Sequence, residues 1–101
     1  MAMLYTVNKS PLERNALESC LRHATVGTAI LLIEDGVYGA MAQTAFTPAL
    51  EQALQKLHIY ALKPDIEARG IQDKILPGIA LVDYGGFVDL VAQHSPVMAW
   101  L

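Results

Sequence analysis

The chain has 101 residues, enough for one core with little to spare, and a single cysteine, which excludes an internal disulfide and falls short of the ligand set of a structural zinc. Apolar side chains make up 53% of it and charged ones only 17%, against about 25% charged in ordinary soluble domains, so part of the apolar excess is expected to be buried against other chains. The net charge of −3 offers no attraction to a polyanion and argues against direct nucleic-acid binding.

In chain order, Leu4-Tyr5-Thr6-Val7 reads as a first strand. Ser10-Pro11 supplies a capping hydroxyl and a proline suited to a first helical turn, and a helix is expected from about Pro11 to His23. Leu17, Cys20, Leu21 and Ala24 fall at i, i+3, i+4, i+7 on its apolar stripe, with Arg14-Glu18 and Glu18-Arg22 as i,i+4 ion pairs on the other side. After Gly27, the run Thr28 to Ile33 does not alternate and reads as a strand covered on both faces.

Glu34-Asp35-Gly36 then turns into a second helix, with Asp35 as its cap. From Gly36 to Leu50 there is no charged residue, and this stretch is the first candidate for a subunit contact. Pro48 starts a further helical piece, Ala49 to Leu57. His58 to Leu62 is the third strand, Pro64 to Arg69 a short helix ended by Gly70, and Ile79 to Val82 the fourth strand. Asp83-Tyr84-Gly85-Gly86 leads into a last helix from Phe87 to about His94, and Val97 to Leu101 forms a fifth strand. This alternation predicts an α/β chain, a three-layer α/β/α sandwich around a parallel sheet, as one domain over residues 1–101.

Chemistry-bearing motifs are few. Gly85-Gly86 and Gly36-Val37-Tyr38-Gly39 lack the spacing and the following lysine of a phosphate-binding loop, so no nucleotide is expected; a flavin-binding or receiver-type module finds neither its phosphate loop nor its acidic cluster. Asp35 and Asp83 each end a strand and are read as helix caps. His23, His58 and His94 lie on different elements at no metal-ligand spacing, so no metal or cofactor site is expected. His23, three residues after Cys20, would lower the thiol pKa if the two faced each other, but mid-helix placement disfavours thiolate activation. On these residues alone Cys20 is either a packing group or a thiol that meets a partner. The start, Met1 to Lys9, shows no export signal and the longest aliphatic stretch, Ala29 to Ile33, is too short for a membrane span, so a cytoplasmic protein is expected.

Asn8-Lys9-Ser10-Pro11, Leu32 to Val37, Tyr60-Ala61-Leu62, Ile66 to Gly70, Val82-Asp83-Tyr84 with Phe87-Val88, and Ala99-Trp100 together resemble the DsrH/TusB family of intracellular sulfur-relay proteins. The similarity runs the whole chain in order, and the stretch Glu13 to Leu21 resembles the DsrH branch, which carries a cysteine on this helix. The resemblance implies a five-stranded DsrEFH-like sheet of order 4-3-2-1-5. It also implies an accessory subunit that joins DsrE/TusD-like and DsrF/TusC-like homologues in an α2β2γ2 hexamer. Persulfide sulfur would pass to a DsrC/TusE-like acceptor, for tRNA wobble-uridine 2-thiolation or for intracellular sulfur oxidation. Cys20 is then a secondary sulfur acceptor, and the alternative is a purely structural subunit with no sulfur-carrying residue.

Overall fold

A computed structural model describes residues 3–11 and 15–100. Five strands form one parallel sheet: β1 (Leu4–Val7), β2 (Ala29–Leu32), β3 (His58–Leu62), β4 (Ala80–Val82) and β5 (Val97–Trp100). Their order is β4-β3-β2-β1-β5, the order the resemblance implies. Leu4 is in register with Ala29 on one side and Val97 on the other, and Tyr60 with Ala80. All four residues of β2 are buried, as its non-alternating run requires of a strand covered on both faces.

The connections decide how the faces are covered. β1 to β2, β2 to β3 and β3 to β4 all step the same way across the sheet. Right-handed crossovers therefore put α1 (Ala16–His23), α2 (Thr47–Ala53) and α3 (Lys63–Ala68) on one face. The connection from β4 to β5 runs back over β3, β2 and β1, so α4 (Tyr84–Gln93) lies alone on the other. The packing agrees: Leu17, Leu50 and Ile66 join Ile30 and Leu32 in a large core, whereas Leu90 meets Leu4 and Leu31 in a small one. Three layers are present, unequal in extent.

Several elements depart from the sequence expectations. Helix α1 starts at Ala16 behind Asn15, not at Pro11, which sits in a turn; the expected Arg14-Glu18 pair lies outside the described residues, whereas Glu18 does accept from Arg22 Nη2 at 2.6 Å. The stretch after β2 is a 3-10 segment, Glu34–Ala40, rather than an α-helix. It runs so close to β1 that a Cβ on Gly36 would meet the carbonyl of Val7, and one on Gly39 would lie 2.5 Å from Leu17 Cδ2. Glycine at both positions lets the segment pack directly on the sheet and α1.

The charge-free stretch from Gly36 to Leu50 consequently packs in part within this chain. Val37, Ala40 and Leu50 are fully buried inside this chain, and Met41, Ala42 and Phe46 pack half-buried against the same core. Its lack of charge serves the fold. At the other end, α4 begins at Tyr84, three residues before the expected start, because Asp83 Oδ1 accepts from Gly86 N at 2.8 Å and caps the first turn.

Candidate functional site

Cys20 lies on the buried stripe of α1 with Ala16 and Leu17 and has no exposed surface. Burial pushes its thiol up to about 12, because an apolar surround disfavours the thiolate. A thiol so placed is a poor nucleophile and out of reach of a donor. His23 does not counteract this. Its Nδ1–H donates to the carbonyl of Ser19 at 2.8 Å, and its ring lies 5.6 Å from that of Trp100, which in turn meets Tyr5 edge-on at 5.1 Å. His23 thus ties the end of α1 to β5. His94 repeats the motif at the C-terminal end of α4, donating from Nδ1 to Leu90 O at 2.7 Å, and His58 is exposed at the start of β3.

Of the two strand-end acids, only Asp83 is a cap. Asp35 Oδ1 instead accepts from Arg69 Nε at 3.0 Å and Nη2 at 2.8 Å, and Arg69 Nη1 donates to Asp65 O at 3.1 Å. The hydrogen bond to Asp35 holds the Arg69 guanidinium above its ordinary value. Asp65 Oδ2 accepts from Glu34 N, which supports Glu34 at φ 51°. These bonds lock the 3-10 segment to α3, a structural task. An open groove of about 680 Å³ runs between α1 and α2 past Glu18, Arg22, Gln52 and Lys56; Cys20 does not line it. Among the described residues no three His, Cys, Asp or Glu side chains come together as a metal site.

The surface that stands out is apolar. Five strands spaced about 4.8 Å apart make a sheet roughly 20 Å wide, about twice the span of a single helix, so α4 covers its face only in part. On the helix itself, Phe87 and Leu90 turn inward, while Tyr84, Val88 and Val91, at i, i+4, i+7, are exposed, Val88 by 65%. Val97, in register with Leu4, is exposed on this same face. Leu81 and Met98 are exposed at the two sheet edges on the opposite face, and among the described residues outside 81–98 the exposed large apolar side chain is Val26. Sequence reasoning missed this patch because it started the helix at Phe87, which left Tyr84 off the stripe.

Comparison with known proteins decides what kind of chain carries this surface. Residues 9–97 match the family described as DsrH like protein. The TusB proteins of Pectobacterium parmentieri and Escherichia coli are 37% and 36% identical to it over 98 residues, 97% of this chain and all of theirs. The chain belongs to the DsrH/TusB family. Among solved structures, Tm0979 from Thermotoga maritima is 25% identical with a TM-score of 0.66, covering 93% of this chain and 95% of its own. The ychN protein from E. coli shares the fold, at TM-score 0.82 over 98% of both chains and 14% identity. DsrH/TusB membership supports a role as a subunit of a sulfur-relay complex. Among the described residues of this DsrH/TusB chain, no helix is long and apolar enough to cross a membrane.

Proposed function

We propose that this chain, as one domain over residues 1–101, is an accessory subunit of a cytoplasmic DsrEFH/TusBCD-type sulfurtransferase complex. It joins DsrE/TusD-like and DsrF/TusC-like homologous subunits in an α2β2γ2 hexamer. The assembly relays persulfide sulfur to a DsrC/TusE-type acceptor, for 2-thiolation of the tRNA wobble uridine or for intracellular sulfur oxidation. The observation that carries the reading is the exposed apolar patch of α4 and β5, set beside the absence of any accessible nucleophile on Cys20. A chain with an exposed apolar stripe and a buried, unreactive thiol is suited to supporting a partner's chemistry.

Burial supports the packing role for Cys20. A secondary sulfur-accepting role calls for an opening of α1 that exposes Sγ and lets its thiolate attack the terminal sulfur of a persulfide, releasing the donor as a thiolate.

Co-expression with the two homologous subunits tests the assembly: the expected product is one stable complex with two copies of this chain. A monodisperse monomer that ignores both homologues would overturn the reading. Mass spectrometry of the complex after incubation with a persulfide donor tests Cys20. Sulfur on the homologous subunits and none on Cys20, with transfer unchanged in Cys20→Ser, is the expected result, and added sulfur on Cys20 would instead make it a carrier.

A further inference from the structure

The apolar patch has an unusual electrostatic setting. From Ile75 to Leu101 the chain contains Asp83 and Asp89 and no lysine or arginine. Asp83 is occupied by its cap on Gly86 N. Asp89 is exposed on α4, and among the described residues it makes no ion pair or hydrogen bond. Helical geometry places it on the opposite flank of α4 from Tyr84 and Val91, with Gly85 and Ala92 between the flanks. The exposed side of α4 is therefore an apolar flank, a low ridge of small residues that permits close approach, and a rim carrying one unanswered negative charge.

We infer that this face docks an apolar protein surface bearing a lysine or arginine positioned against Asp89, and that Asp89 selects a heterologous partner over a second copy of this chain. The inference rests on the assembly reading above and specifies the partner at its surface. An interface with an apolar centre and a polar rim is the usual anatomy, and rim charges act mainly on the rate of encounter and on the choice of partner. A second copy would bring another acidic surface without a single cation from residues 75–101 to answer it. An anionic membrane or a nucleic acid would meet the same repulsion.

The test measures binding of wild-type, Asp89→Asn and Asp89→Lys chains to the co-purified homologous subunits, at low and at high salt. Since Asp89 is exposed and makes no ion pair or hydrogen bond among the described residues, both variants should melt like the wild type. Wild-type binding should weaken as salt rises, and Asp89→Lys should bind about tenfold more weakly at low salt, chiefly through a slower association rate. Asp89→Asn should fall between them and lose most of the salt dependence. Reversing the partner's facing cation to glutamate should restore binding of Asp89→Lys. Equal binding by all three chains at low salt, with the wild-type complex intact, would overturn this inference and leave the assembly reading standing. A wild-type chain that binds neither homologue would overturn both. Dimerisation of the wild-type chain alone through this face, abolished by Val88→Asp, would also overturn the choice of partner.

Discussion

The two faces of the sheet start from similar strand residues and end up covered very differently. On one side Tyr5, Val7, Ile30, Leu32, Ile59 and Ala61 lie beneath α1, the 3-10 segment, α2 and α3, and Leu17, Leu50 and Ile66 have no exposed surface. On the other, Leu4, Ala29 and Leu31 meet little more than Phe87 and Leu90 of α4, and the helix shows water a second apolar stripe. Buried apolar side chains are more numerous on the first face, and exposed ones on the second. The lesson is that an excess of apolar residues in a small α/β chain divides between a closed core and an unfinished layer according to the direction of each crossover.

The largest effect expected on the fold comes from the closed face. Leu17→Ala should lower the unfolding free energy by about 2–5 kcal/mol, read by chemical denaturation, because it leaves a cavity between α1 and the sheet. A loss under about 1 kcal/mol would show that this face is loosely packed. Met41→Lys belongs to the same class, since Met41 packs half-buried against this core; it should reduce the stability of the isolated chain, whatever it does to assembly.

Cys20 provides a pH-dependent probe of the same core. Its folded pKa lies above the ordinary 9.0, near 12, so the folded state holds the proton more tightly than the unfolded state. The stabilisation is complete below about pH 9 and is lost as pH rises toward 12, at about 1.4 kcal/mol per pH unit. The difference in unfolding free energy between wild type and Cys20→Ala should shift in that direction between neutral and alkaline pH. Parallel pH profiles for the two chains would show that Sγ is hydrated.

A smaller effect is expected where the 3-10 segment meets α3. Asp35 is half exposed and Arg69 partly exposed, and Asp35→Ala should cost about 0.5–1 kcal/mol, partly screened by salt. A thermal melt indistinguishable from wild type in low salt would show that the pair does not hold this segment to α3.

The smallest effect on the chain itself is expected on the open face. Val88→Asp should change stability by less than about 0.5 kcal/mol while abolishing recovery of the complex in co-expression. Destabilisation as large as that of Leu17→Ala would show that the stripe on α4 is part of the fold, and the contrast between the faces would collapse.

Much of the secondary structure was legible along the chain. β3 spans His58–Leu62 as its apolar run indicates, β2 shows the burial expected of a non-alternating strand, and Gly70 at φ 66° closes the turn after α3. Boundaries were less legible where a side chain far off in sequence intervened. Asp35 looked like a cap because short acids cap helices, but Arg69, 34 residues later, takes its carboxylate. The stretch from Gly36 to Leu50 looked like a contact surface because nothing in it is charged, yet an uncharged segment can equally be one that the chain buries in itself.

The sequence by itself determined the class of fold, the family and the mid-helix position of Cys20, because these follow from local periodicity and from residues read in order. Only the tertiary structure decided which apolar residues are inside. Burial depends on where each crossover returns: three connections step one way and close a core around Cys20, while the fourth crosses back and leaves α4 alone on the far face with Tyr84, Val88 and Asp89 outward. Apolar residues recur at helical spacing in both α1 and α4, and the side that meets water is set by what packs across from each helix.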